Sequence, residues 1–239
     1  MNQLIFLLLL SPLTAFAQDR DATLQGAWEA TYTGPDGKDD LLSMLIQDGY
    51  LSMTAYDLTD TAFIATLGGS YEVQGDSLQV TYEWDSSNPD NVKQTRSIPF
   101  MMNGPVLVFN NDRVWQRTDD GAGVLAGAWQ ITGRKTDGEM RRREPTGPRR
   151  TMKILTGSRF QWIAYNTETR EMLGTGGGTY SAEEPQYIER IEFFSRDPQR
   201  VGDQLSFDFK IRNNEWHHMG FSSKGDPLYE TWGHRPESD

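Results

Sequence analysis

The chain has 239 residues, carries 34 Asp+Glu against 23 Lys+Arg for a formal net charge of −11, and contains no cysteine. The acid excess sits in one half: residues 18 to 123 hold six Lys+Arg against 17 Asp+Glu, whereas residues 124 to 239 hold 17 of each. So acidic a first half argues against nucleic acid or an anionic membrane as its partner, and the lack of cysteine excludes a lipidated amino terminus and leaves the apolar cores to hold the fold.

At the amino terminus, an apolar run from Leu4 to Leu10 is followed by a Ser-Pro break and the small-x-small site Ala15-Phe16-Ala17. The run is too short to span a bilayer. Residues 1–17 are therefore expected to be a secretory signal cleaved near Ala17, which predicts a secreted or periplasmic protein with no membrane span.

From there the order of landmarks repeats. Leu24-Gln25-Gly26-Ala27-Trp28 recurs as Leu125-Ala126-Gly127-Ala128-Trp129, and Leu51 to Asp57 recurs as Phe160 to Asn166. Gly68-Gly69-Ser70-Tyr71 answers Gly177-Gly178-Thr179-Tyr180, and Trp115-Gln116-Arg117 answers Trp232-Gly233-His234-Arg235. The offset grows from 101 to 109 to 117, so the second copy carries two insertions. Two homologous domains are expected, at 18–120 and 124–239, with the polar Gly-rich stretch Thr118 to Gly123 between them.

Short alternating runs of aromatic and β-branched residues, broken by Gly, Asp, Asn or Pro, predict strands throughout. In copy one they fall near 26–33, 41–47, 50–57, 62–74, 77–84, 92–100, 105–110 and 112–117. In copy two they fall near 127–134, 149–156, 159–166, 171–181, 186–194, 204–211, 214–221 and 228–235. Hairpin turns are expected at Asp48-Gly49, Gly75-Asp76, Gly157-Ser158 and Asn213-Asn214, where a residue tolerates positive φ. Gly174 to Gly178 reads as glycine permitting a strand to bend at a barrel corner. The irregular stretch 134–150 is rich in arginine. It is either a solvated loop or a docking patch for the acidic first domain or an anionic ligand.

These residues resemble lipocalin-like domains through the opening Gly-Ala-Trp, eight strands in up-and-down order, and the closing Trp-x(1,2)-Arg. Copy two is also similar to lipocalin-like domains of secreted bacterial proteins with no assigned activity, through Gly176-Gly177-Gly178-Thr179-Tyr180, Tyr187-Ile188-Glu189, Val201-Gly202 and Tyr229-Glu230-Thr231-Trp232. The resemblance implies an all-β chain of two tandem eight-stranded up-and-down barrels. It further implies that Arg117 packs across Trp28, and Arg235 across Trp129, sealing the base of each barrel. Copy one departs from the pattern, with Val80 where copy two has Glu189 and Arg113 near the place of Glu230.

A barrel of eight strands is just wide enough to be filled by side chains or to hold one small ligand. Alternation places Tyr187, Glu189, Ile191 and Phe193 on one strand face, Glu230, Trp232 and His234 on another, and Phe207 with Phe209 on a third. A carboxylate among aromatics must meet a partner or face a wet cavity. The candidate ligand-binding residues are Trp162, Tyr165, Tyr180, Tyr187, Glu189, Phe207, Phe209 and Trp216. No catalytic residue, cofactor or metal site is assigned. A zinc site from His217 or His218 with His234 and Glu230 would need the last two strands in suitable register.

The reading is a secreted, non-enzymatic pair of barrels that binds a small apolar or amphipathic ligand, chiefly in the second. The alternatives are an envelope or extracellular interaction protein with filled barrels and, below it, a hydrolase or isomerase using Glu189 with Arg190 or a histidine.

Overall fold

The computed structural model describes residues 23–34, 37–59, 62–109, 113–221 and 225–235; the expected signal at 1–17 lies outside them. The first barrel is a closed antiparallel meander of β1 (Gly26–Thr33), β2 (Asp39–Gln47), β3 (Tyr50–Asp57), β4 (Phe63–Gln74), β5 (Ser77–Asp85), β6 (Thr95–Asn103), β7 (Val106–Phe109) and β8 (Val114–Asp119). Barrel 2 is built from β9 (Gly127–Thr136), β11 (Arg149–Leu155), β12 (Arg159–Asn166), β13 (Glu171–Glu183), β14 (Gln186–Phe194), β15 (Gln204–Arg212), β16 (Glu215–Phe221) and β17 (Pro227–His234), and β17 pairs back onto β9 to close it. The short strand β10 (Glu139–Arg142) folds back on the far end of β9, so the arginine-rich stretch is partly a hairpin and not wholly irregular.

Turn chemistry sets the register. Asp48-Gly49 and Asn213-Asn214 have positive φ at both positions, the twist that suits a two-residue hairpin. Each barrel also carries a bulge at the paired glycines, between Gly68 and Gly69 and between Gly177 and Gly178. A Cβ on Gly69 or Gly178 would overlap the carbonyl of Thr81 or Arg190, so only glycine lets the neighbouring strand approach there. The bulge reverses inside and outside. Ile191 points into the barrel 2 core, whereas Phe193 faces barrel 1, against the simple alternation expected along β14.

At the base, the Trp28 and Trp129 indoles donate to the Leu24 and Leu125 carbonyls, each at 2.9 Å, from the turn that precedes the first strand. Arg117 lies 4.2 Å from the Trp28 ring. Barrel 2 differs from the expected pairing: His234 stacks on Trp129 at 3.8 Å, and Arg235 instead covers Tyr50 of barrel 1. The cause is parity. His234 and Arg117 each follow the closing tryptophan by two residues and share its face, while Arg235 follows by three and points outward.

The barrels meet through equivalent faces. Tyr165 stacks on Trp84 and Tyr56 on Phe193, both with centroids 5.1 Å apart. Tyr165 donates to Glu83 at 2.5 Å and Tyr56 to Glu192 at 2.8 Å. Each partner is its counterpart's match 109 positions along the chain, so these contacts obey an approximate two-fold relation. Near the middle, Ser52 and Thr54 donate to Gln161 Oε1, and Gln161 Nε2 donates to Thr66 and Thr175. Apolar packing by Leu45, Trp84, Met152, Ile154 and Ile163 surrounds this polar centre.

Candidate functional site

Barrel 2 carries a charged layer across its interior. Lys153 on β11 reaches across to Glu189 on β14 at 2.7 Å, both side chains nearly dry, and Tyr187 donates to the same carboxylate oxygen at 2.8 Å. The Lys153 ammonium sits 5.0–5.9 Å from the ring centres of Phe160, Tyr187, Trp216 and Trp232, which gives it cation–π attraction in place of water. Burial, then the Glu189 charge, push the Tyr187 phenol well above its ordinary pKa, so it stays a donor.

Beside this group stand His218 on β16 and Glu230 on β17, register partners whose nearest atoms are 3.7 Å apart. That spacing is too long for a hydrogen bond, and the pair is ionic only when the imidazole is protonated. Both His218 ring nitrogens are buried without a partner, among Phe207, Trp216 and Tyr187. Burial, and then Lys153, hold the imidazole below its ordinary pKa and therefore neutral near pH 7. Burial opposes ionisation of Glu230, but His218, Lys153 and Arg134 outweigh it and hold the carboxyl below its usual range. Arg134 approaches Glu230 at 3.8 Å from the barrel mouth.

Above the charged layer, Trp162, Phe194, Leu205 and Leu228 form a half-buried apolar rim packed on the interior cluster. A groove of about 920 Å³, lined in part by Arg134, shares Leu228 with this rim and opens beside β9 and β17. Two further grooves, of about 400 and 390 Å³, lie on the seam between the barrels, one beside Glu83 and the other beside Glu192.

Seven of the eight sequence-predicted candidates face the interior of barrel 2: Tyr180, Tyr187, Glu189, Phe207, Phe209 and Trp216 are buried there, and Trp162 stands on its rim. Tyr165 does not join them. It lies on the opposite face of β12, against Trp84, Glu83 and Arg235 of the seam. Lys153, His218 and Glu230 were not among the candidates, yet they supply most of the interior polarity. Comparison of the copies holds the missing signal: Lys153 takes the place of Met44 and Glu189 that of Val80, two opposite charges entering matched core positions.

Two chemical arrangements considered from sequence do not form. Arg190 is exposed on the face of β14 opposite Glu189, so the two make no pair. His217 faces outward to Tyr229 and His234 lies at the base, away from Glu230 and His218; among the described residues no three His, Cys, Asp or Glu groups gather to hold a metal. Of the arginine-rich stretch, Arg150 does reach the acidic first barrel, at 3.0 Å from Glu83, whereas Arg134, Arg141 and Arg142 pair within barrel 2. Among the described residues no helix is long and apolar enough to cross a membrane.

A family model for a domain of unknown function, DUF4488, matches residues 124–237, which is barrel 2 and slightly less than half of the chain. No curated protein matches the chain. The similarity thus falls on the barrel with the charged interior and brings no activity with it.

Proposed function

We propose that this chain is an exported, lipocalin-like small-molecule-binding protein whose ligand enters the mouth of barrel 2, with barrel 1 as a filled scaffold. The observation that carries this reading is His218, a fully enclosed imidazole with neither nitrogen partnered, placed under an apolar rim. Buried polar groups are almost always hydrogen-bonded, and an orphan imidazole costs stability unless something else satisfies it. An amphipathic molecule would do so, with its apolar part against Trp162, Phe194, Leu205 and Leu228. Export is supported by the apolar run and Ala15-Phe16-Ala17 at the amino terminus.

Native mass spectrometry of the protein purified from its own source tests the reading. The expected spectrum contains a co-purified mass that is lost on denaturation and is absent from His218→Phe. A bare-chain mass, together with no saturable change in tryptophan emission across fatty alcohols, fatty acids and sterols, would rule out the binding role.

A second reading, a surface-interaction protein, has one observation in its favour. Met101, Val108 and Val114 are register partners across β6, β7 and β8, and form an apolar row, exposed at Met101 and Val114 and half-buried at Val108, beside a groove of about 670 Å³ on barrel 1. Replacing Met101 and Val114 by serine should abolish partner capture on this reading and leave ligand binding intact on the first.

A further inference from the structure

The charge count inside barrel 2 narrows the chemistry of what it can hold. Among the described residues the layer and its mouth hold two cations, the buried Lys153 and the half-exposed Arg134, and two anions, Glu189 and Glu230. They are already matched one to one. An added anion would stand against the Glu230 carboxylate, and an added cation against Lys153 and Arg134, in either case without a free counter-charge. A charge moved into a low-dielectric interior without a counter-charge is heavily penalised.

What the layer does lack is hydrogen-bond partners for the two ring nitrogens of His218, one N–H and one bare nitrogen in a neutral imidazole, and for the indole N–H groups of Trp216 and Trp232. A hydroxyl between His218 and Glu230 would accept from the imidazole N–H and donate to the carboxylate. A carboxylate there has no proton to donate to Glu230, and an ammonium cannot accept from the His218 N–H. Barrel 1 places Phe109 at the position of His218 and Val80 at that of Glu189, and so offers neither feature.

We propose that barrel 2 selects a neutral amphiphile carrying an alcohol head group, with the hydroxyl bound between His218 and Glu230 and the chain leaving past Trp162 and Leu228. This rests on the mouth of barrel 2 being a ligand site, and goes beyond that reading by excluding fatty acids and alkylamines as preferred ligands.

Isothermal titration of the full chain at pH 7.5 with 1-decanol, decanoate and decylammonium, all below their aggregation limits, separates the two claims. Decanol should bind tightest, by about tenfold or more over both charged analogues, because only it can accept from His218 and donate to Glu230 without adding an unmatched charge. Tightest binding of decanoate would move the head group to the basic mouth around Arg134 and Lys135; tightest binding of decylammonium would make Glu230 the anchor. Either result overturns the neutral-head proposal and leaves a ligand site standing. Binding of none of the three, with none in the wider panel, sinks both.

Two variants sharpen the test. His218→Phe should weaken decanol about tenfold and bring it level with the charged analogues; unchanged decanol affinity in a variant that still folds, checked by circular dichroism, overturns the proposal. Glu230→Gln, close in shape, leaves the layer with one cation in excess and should raise decanoate affinity at least tenfold. No gain for decanoate would mean that charge balance does not govern selection.

Discussion

Barrel 1 and barrel 2 share strand order, bulges and base tryptophans, yet fill the same interior with opposite chemistry. At matched register positions barrel 1 has Met44, Leu78, Val80, Leu107 and Phe109 where barrel 2 has Lys153, Tyr187, Glu189, Trp216 and His218. The first barrel closes with an apolar centre, so the fold does not require the second barrel's ion pair. Buried ion pairs are weak stabilisers, because desolvation cancels much of their attraction. The proposed binding site gives the charged layer a reason that the fold alone does not.

The largest expected effect tests that comparison directly. Glu189→Val, which copies barrel 1, leaves the Lys153 ammonium buried and unpaired and should cost about 3–5 kcal/mol in urea unfolding. The double variant Lys153→Met/Glu189→Val should recover most or all of that loss, as replacement of a whole buried pair by apolar groups does. If the double variant is no more stable than the single, the pair is holding barrel 2 together and its functional reading weakens.

Next in size is the clip between the barrels. At the end of β8, Asp119 accepts from the amides of Ala27, Gly121, Gly157 and Ser158 and from the hydroxyls of Thr156 and Ser158, tying barrel 1 to the β11–β12 turn of barrel 2. Burial opposes its charge, but these donors outweigh burial and hold its pKa below the ordinary 3.8. Asp119→Ala should cost about 2–3 kcal/mol at neutral pH. A group whose folded pKa is depressed contributes stability that is full above its unfolded pKa and is lost as pH falls through the folded value. The stability gap between wild type and Asp119→Asn should therefore narrow on acidification below about pH 5. A gap that stays constant down to the folded pKa would show that the carboxylate is not favoured by folding.

The seam tyrosines should give a smaller and unequal pair of effects. Tyr165→Phe should cost about 2 kcal/mol and Tyr56→Phe about 1 kcal/mol, since both lose a hydrogen bond to a carboxylate but only Tyr165 also accepts from a buried arginine, Arg235. Equal losses would mean that the surrounding arginines do not distinguish the two halves of the seam. Smallest are the base covers. Arg117→Ala should cost about 1 kcal/mol through its stacking on Trp28, and His234→Ala somewhat less, because its ring is half-exposed.

The repeated landmarks and the turn residues made the barrels legible, because both are local: Asp48-Gly49 and Asn213-Asn214 each state a turn by themselves. Of the six buried interior candidates, alternation along single strands paired Tyr187 with Glu189 and Phe207 with Phe209, whereas Tyr180 and Trp216 stood out only as aromatics on strands. Alternation misplaced Phe193 because a bulge at Gly177-Gly178 resets parity without an obvious mark beyond the glycines. Tyr165 was misplaced because a strand face that packs on another barrel is as aromatic as one that packs inside its own. Lys153 escaped because a single lysine on a strand reads as solvent-facing, and its burial depends on Glu189, which comes from a different part of the chain.

The approximate two-fold of the seam has a consequence for how such a chain can change. In a dimer of identical subunits every substitution enters twice, and a lysine placed in one lumen is placed in both. Joined in one chain, the copies vary separately while Tyr56, Tyr165, Glu83 and Glu192 keep the matched faces in contact. One lumen can then hold a charged layer that risks stability, while the other stays apolar and anchors it through the same face.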